Sequence, residues 1–163
     1  MNGRILGWAF LGALCLAAAG CTLGTQTTPL TALEPALSPD GRRVVYESAV
    51  DQKLKLFVRD LDSGTTQRVT DGTSDDMSPS WSPDGTQIAF ASNREKNNVD
   101  IYTLNVATRE VRRVTTDAAS DIYPAWSSDG RIYFTSDRSK AWEVYSILPD
   151  GSGLVSVTAG TTP

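Results

Sequence analysis

The sequence predicts an all-β fold, a partial β-propeller of three four-stranded antiparallel blades after an N-terminal signal helix and a flexible tether. Three observations carry this. A unit of 44–45 residues is written three times between residues 33 and 158. Inside each unit apolar residues alternate with period two, as strands with one buried face require. Each unit also repeats one turn: Ser38-Pro39-Asp40-Gly41, Ser82-Pro83-Asp84-Gly85 and a degraded Ser127-Ser128-Asp129-Gly130.

The leader comes first. Arg4 supplies one positive charge, and Ile5 to Ala19 is an unbroken run of apolar and small residues. Fifteen residues fall short of the roughly 20 that span a bilayer as a helix. They suit the apolar centre of a secretory signal. The run closes on Leu16-Ala17-Ala18-Ala19-Gly20-Cys21. Small residues before a cysteine resemble a bacterial lipoprotein processing site, with residues 1–20 as the signal peptide and Cys21 as the point of lipid attachment. Its acyl chains would anchor the chain to a membrane. A plain secretory signal beside an unrelated cysteine and an uncleaved anchor are the competing readings. Cys15 leaves with the leader, so the mature chain holds Cys21 alone and folds without an internal disulfide. Thr22 at the next position resembles enterobacterial outer-membrane sorting. Residues 21–32, uncharged and rich in Thr, read as a tether.

The blades follow, at about 33–72, 77–116 and 122–158, in a propeller segment running over residues 33–163. Val44 and Tyr46 recur as Ile88 and Phe90 and as Ile132 and Phe134, each step 44 residues. Every unit ends on Val-Thr: Val69-Thr70, Val114-Thr115 and Val157-Thr158. A period of this length with strand-like alternation falls in the range of propeller blades. The second unit divides into strands at about 78–82, 87–92, 100–106 and 111–115. Pro presets the second turn position, Asp tolerates the third and Gly closes the fourth. Pro79 and Pro124 are expected to open the innermost strand, an edge where a missing donor costs little. Trp81 and Trp126 read as fillers between blades, and the unmatched Trp142 as exposed.

The run Trp81-Ser82-Pro83-Asp84-Gly85, then Ile88 to Arg94, then Asp100-Ile101-Tyr102 resembles the WD-like repeat of the TolB-type β-propeller family. The resemblance implies a six-bladed ring. It also implies a non-catalytic envelope protein that binds a protein or peptide, with partners such as a peptidoglycan-associated lipoprotein. That family's N-terminal α/β domain has no counterpart here. Anchored by its lipid, the chain would face the periplasm, most simply from the outer membrane. The alternative is a truncated propeller domain of a prolyl-oligopeptidase-like peptidase, since blades of this type serve several functions. Three blades leave two apolar faces to be covered. A homodimer completing six blades would cover them, and so would a longer propeller of which this chain is a remnant.

Composition excludes several mechanisms. With no His there is no Ser-His-Asp triad and no imidazole ligand. With 15 Lys and Arg against 19 Asp and Glu, the formal charge of −4 argues against nucleic acid as a partner. The chain has no Gly-x-Ser-x-Gly elbow, no phosphate-cradling glycine loop and no Asp-x-Asp-x-Asp-Gly calcium spacing. No catalytic residue, metal or cofactor is expected.

In an antiparallel four-stranded blade, the loops entering the first strand and leaving the second share one end. That places Asp75, Asp76 and Asp121 on one face with Arg94 and Arg138, as a candidate binding face for a polar peptide or small charged ligand. The structural reading stands beside it: residues repeated from blade to blade also satisfy loop amides or pair with the next blade. Asp40, Asp84 and Asp129 lie in the turns at the opposite end and read as structural.

Overall fold

The computed structural model describes residues 33–95 and 98–159. The leader, Cys21 and the tether lie outside the described residues. Every regular element described is a strand.

The first blade is β1 (Leu33–Leu37), β2 (Arg43–Val50), β3 (Lys53–Asp60) and β4 (Thr66–Arg68). The second is β5 (Asp76–Trp81), β6 (Gln87–Ser92), β7 (Asp100–Asn105) and β8 (Val111–Arg113). The third is β9 (Asp121–Trp126), β10 (Ile132–Ser136), β11 (Glu143–Ile147) and β12 (Val155–Ser156). Each blade is a separate four-stranded antiparallel meander, strands paired in chain order.

The repeated sequence features map onto repeated bonds. In each Ser-x-Asp-Gly turn the Gly N–H returns to the Ser carbonyl, at 2.9, 2.9 and 3.0 Å. The glycines Gly41, Gly85 and Gly130 have φ of 71°, 67° and 82°, the left-handed region where a side chain is strained. The third turn is one residue shorter, because Ser127 pairs with Arg131 whereas Ser82 pairs with Gln87. This accounts for the period changing from 45 before the turn to 44 after it. The closing Thr has a defined duty. Its hydroxyl accepts the backbone N–H of the third strand: Leu56 to Thr70 at 3.0 Å, Ile101 to Thr115 at 2.9 Å and Val144 to Thr158 at 3.0 Å.

The innermost strands differ from expectation. Pro79 and Pro124 do not open β5 and β9; both strands begin three residues earlier, at Asp76 and Asp121. Each inner strand carries a bulge that sets two residues against one aromatic of the next strand: Ser78 and Pro79 face Phe90, and Tyr123 and Pro124 face Phe134. Glu34 and Pro35 face Tyr46 in the same way. The residue before each Pro takes positive φ, at 44°, 52° and 55°. A bulge leaves one N–H without a ladder partner, which is where Pro fits inside a strand.

Blades stack through two apolar layers. Val45, Leu56, Val58 and Val69 of the first blade meet Trp81, Ile88, Phe90, Tyr102 and Leu104 of the second. Ala89, Ala91, Ile101 and Val114 then meet Ile132, Phe134, Tyr145 and Ile147 of the third, with Trp126 packed against them. Trp81 fills its gap as expected: its indole N–H donates to the Ala36 carbonyl at 3.0 Å and Arg43 lies over its ring at 4.8 Å. At the two ends these positions lie open. Leu37, the counterpart of Trp81, is 60% exposed, and Val157, the counterpart of buried Val69 and Val114, is 47% exposed. Trp142 is exposed as well.

Candidate functional site

The five candidate residues fall at one end of the blades, in and beside the loops joining β4 to β5, β6 to β7, β8 to β9 and β10 to β11. Asp76 is the first residue of β5 and is completely buried. Its carboxylate accepts from Ser92 Oγ at 2.6 Å, Arg94 Nη2 at 2.9 Å, Ser74 Oγ at 3.2 Å and Lys55 Nζ at 3.2 Å. Burial pushes its pKa up, but the hydrogen bonds of Ser92 and Arg94 and the charges of Arg94 and Lys55 outweigh burial and hold it below the ordinary carboxylate value. The Arg94 guanidinium is itself fixed by Ser92 Oγ at 3.0 Å and lies over the rings of Phe90 and Tyr102, at 5.1 and 4.6 Å.

Asp121 repeats the device in the third blade. Arg138 Nη2 donates to both carboxylate oxygens at 2.9 and 3.0 Å and also pairs with Asp117 at 2.9 Å. Its Nε donates to Ser136 Oγ at 2.9 Å, and the group lies over Phe134 and Tyr145. In the first blade Ala32 and Val50 occupy the Asp and Arg positions. Ser48, the counterpart of Ser92 and Ser136, is buried with no hydrogen-bond partner for its hydroxyl among the described residues.

Asp75 is turned the other way. It accepts from Lys53 Nζ at 3.0 Å, the Leu54 N–H at 3.1 Å and Asn93 Nδ2 at 3.1 Å. Burial raises its pKa, and these donors more than offset that, leaving the carboxyl below its usual range. It joins the loop before β5 to the hairpin of the preceding blade.

Two details differ from the structural reading of the sequence. Arg94 pairs with the aspartate of its own blade, not of a neighbour, and the donors to Asp76 are side chains, not backbone amides. The cross-blade cation is Lys55, a residue the repeat pattern does not flag. Its side chain is 3% exposed and its ammonium also reaches the carbonyls of Ser74 and Asp71. Lys55 is silent in a periodicity search because its counterparts, Asp100 and Glu143, carry the opposite charge.

That inversion makes the two blade junctions electrically different. Asp100, completely buried, is held by Arg113 at 2.7 Å, and Asn98 takes over the loop carbonyls of Asp117 and Ala119. Burial raises the Asp100 pKa above the ordinary 3.8, Arg113 only partly lowers it, and the Asp121 charge raises it further. A raised carboxyl binds its proton more readily folded than unfolded. Its ionisation therefore opposes folding at neutral pH, and that penalty is relieved as pH falls through the folded pKa toward 3.8. Asp76 has the opposite sign: its stabilisation is present above the unfolded pKa and lost as pH falls through the depressed one. Asp100→Asn is accordingly expected to cost less stability at pH 7 than Asp76→Asn. It should also make melting temperature fall more steeply with acid just above the ordinary carboxylate range. Thermal melts of both variants from neutral pH to pH ~4 check this.

Among the described residues no three acidic or thiol groups converge as a metal site. The site is a set of closed charge clusters beneath an exposed loop end, with a cleft of about 380 Å³ beside Lys53, Asn93 and Arg94.

Separate four-stranded blades stacked face to face through apolar layers define a segment of a β-propeller. The chain belongs to the TolB β-propeller domain family, whose sequence profile matches residues 25–162. It is 42% identical over 112 residues to a Tol-Pal system protein TolB of Francisella tularensis, a match covering 68% of this chain and 26% of that protein. The chain thus spans about a quarter of the length of such relatives. A putative TolB of Agrobacterium tumefaciens superposes with a TM-score of 0.72 at 29% identity, over 80% of this chain and 50% of that one. A puromycin-hydrolysing peptidase of Mycobacterium tuberculosis shares the fold at 21% identity, with a TM-score of 0.61 over 78% of this chain and 23% of its own.

Proposed function

We propose that this chain is a non-catalytic propeller module of the bacterial cell envelope. It presents the loop end around Asp75, Asp76, Arg94, Asp121 and Arg138 to a protein or peptide partner, and Cys21 attaches it by lipid to the outer membrane facing the periplasm. The observation that carries this reading is the 42% identity to a protein of the Tol-Pal system over most of the described blades. The geometry agrees with it. Asp76 and Asp121 are consumed by Lys55, Arg94 and Arg138, so these acids hold the loops in shape and the loops do the binding. The peptidase-propeller alternative rests on a likeness at 21% identity, which speaks to fold alone.

In the same reading a second copy covers the open faces and completes six blades. Its support is the distribution of exposed large apolar side chains. Leu33, Leu37 and Leu61 lie on the first blade, and Tyr123, Trp142, Leu154, Val155 and Val157 on the third.

Cross-linking and pull-down from envelope fractions, with Cys21 intact and as Cys21→Ser, test the proposal. An envelope protein captured by the intact chain, with membrane association lost in Cys21→Ser, supports it. Recovery of the intact chain only from the soluble fraction overturns the anchor, and absence of any specific envelope partner overturns the binding role. Light scattering that gives a folded monomer overturns the second copy.

A further inference from the structure

We propose that a second copy of this chain docks head to tail, the third blade of one copy against the first blade of the other, through an uncharged joint anchored by Trp142 against the chain at Ala32 and Val50. The inference rests on the reading that a second copy covers the open faces, and it adds which faces meet and what holds them. The two junctions inside the chain show what a blade offers its follower. At the start of the third strand, the Leu54 N–H donates to Asp75 at 3.1 Å, and the Val99 carbonyl accepts from the Asp121 N–H at 2.7 Å. The Val99 side chain packs into the apolar layer shared with the next blade. By the spacing that aligns the blades, the same position in the third blade is Trp142, 56% exposed.

The charges change in step with that tryptophan. At the first junction Lys53 and Lys55 reach forward to Asp75 and Asp76 at 3.0 and 3.2 Å, and Arg94 pairs with Asp76 at 2.9 Å. The second junction keeps Asp121 with Arg138. The third blade has Ala141 and Glu143 where the lysines stand, and the first has Thr31, Ala32 and Val50 where Asp75, Asp76 and Arg94 stand. Both halves of the cluster are therefore gone from the two faces that no other described blade covers. Loss of one half alone would bury an unpaired charge in the joint, whereas loss of both leaves it balanced. Glu143 is met by the Tyr145 hydroxyl at 2.9 Å and would face Ala32 in place of an acid.

The apolar layer continues across the same joint. Val69 of the first blade and Trp81 of the second share one buried layer, and their counterparts are Val157 on the third blade and Leu37 on the first. Both lie open in the single copy, and a head-to-tail contact in the register of the inner junctions brings them together. Such a contact joins two different faces, so each copy supplies both halves. Three blades of a six-bladed ring turn half a circle, and two copies close through two identical joints with no face left over.

Sedimentation of the full chain over a range of concentrations reads the association, and thermal melts of each variant separate lost association from lost folding. Trp142→Ala should weaken association about tenfold, as truncation of an aromatic anchor does. Tyr123→Ala, an exposed aromatic on the inner strand β9 and outside the joint, should leave it unchanged. Ala32→Asp sets an acid against Glu143, and Glu143→Lys sets an unpaired ammonium into the joint; each should also weaken association about tenfold. Combined in one chain, the two rebuild the pairing of Lys55 with Asp76 and should restore association to within about threefold of the parent. Ala32 precedes the first blade and Glu143 belongs to the last, so this rescue passes between copies. Absence of rescue, or equal loss with Tyr123→Ala, overturns the joint. A dimer indifferent to Trp142→Ala and to both single charge variants overturns the joint and leaves the second copy standing, whereas a folded monomer at every concentration removes both.

Discussion

Asp76→Asn is expected to destabilise the protein by about 3–5 kcal/mol, the range found when one member of a buried ion pair is removed. Asp76 is the meeting point of two blades. Lys55 approaches from the first, while Ser92 and Arg94 approach from the second. An amide in its place leaves the Lys55 ammonium buried among carbonyls with no countercharge, and an unpaired buried charge costs far more than a lost hydrogen bond. Asp121→Asn should cost less, because Arg138 keeps Asp117 at 2.9 Å and, among the described residues, no ammonium approaches from the neighbouring blade. Lys55→Met should also cost less, since Asp76 retains Arg94 and two serine donors. Urea titration of the three variants measures the order. A stability for Asp76→Asn within error of the parent would show that the acid is not structural and would return it to the binding face.

The second large effect is expected at Trp81. Trp81→Ala should cost about 3–5 kcal/mol, the usual range for emptying a large aromatic site in a packed layer. The indole belongs to the buried layer that joins Val45, Leu56 and Val58 of the first blade to Ile88 and Phe90 of the second, and its N–H has a partner. Leu37→Ala, the same repeat position one blade earlier, should change stability by about 0.5 kcal/mol or less while that face is open. The comparison also reads the assembly state: a cost at Leu37 of a kcal/mol or more, in a chain that light scattering finds larger than a monomer, marks that end as covered.

The architecture was legible because it is periodic. The Ser-x-Asp-Gly turns, the alternating Val-Tyr, Ile-Phe and Ile-Phe pairs and the closing Val-Thr each perform one backbone duty per blade, so their spacing transmits the fold directly. The bulges at Ser78 and Tyr123 were not legible. Pro79 announces an edge, but the residue before it gives no sign of positive φ, and the pattern puts the onset of the strand at about residue 78 where the structure begins it at Asp76. The charged loop end was half legible. Asp76, Arg94, Asp121 and Arg138 recur and could be placed on one face, whereas Lys55 and Lys53 do not recur. Finding them required seeing which side chains reach across a junction, which depends on the stacking of blades and not on any one strand.

The change of sign from Lys55 to Asp100 and Glu143 also makes the order of the blades matter. If the second blade were excised, Lys55 would meet Asp121 and find a ready counterion. If it were duplicated, Asp100 would meet another Asp76 just as it already meets Asp121, with Arg113 and an arginine of the following blade to hold the two acids. The first blade is different: copied in tandem, its Lys55 would find Ala32 at the Asp76 position and lose its counterion, so the second unit is portable where the first is tied to its place, a distinction that the near-identical shapes of the three units conceal.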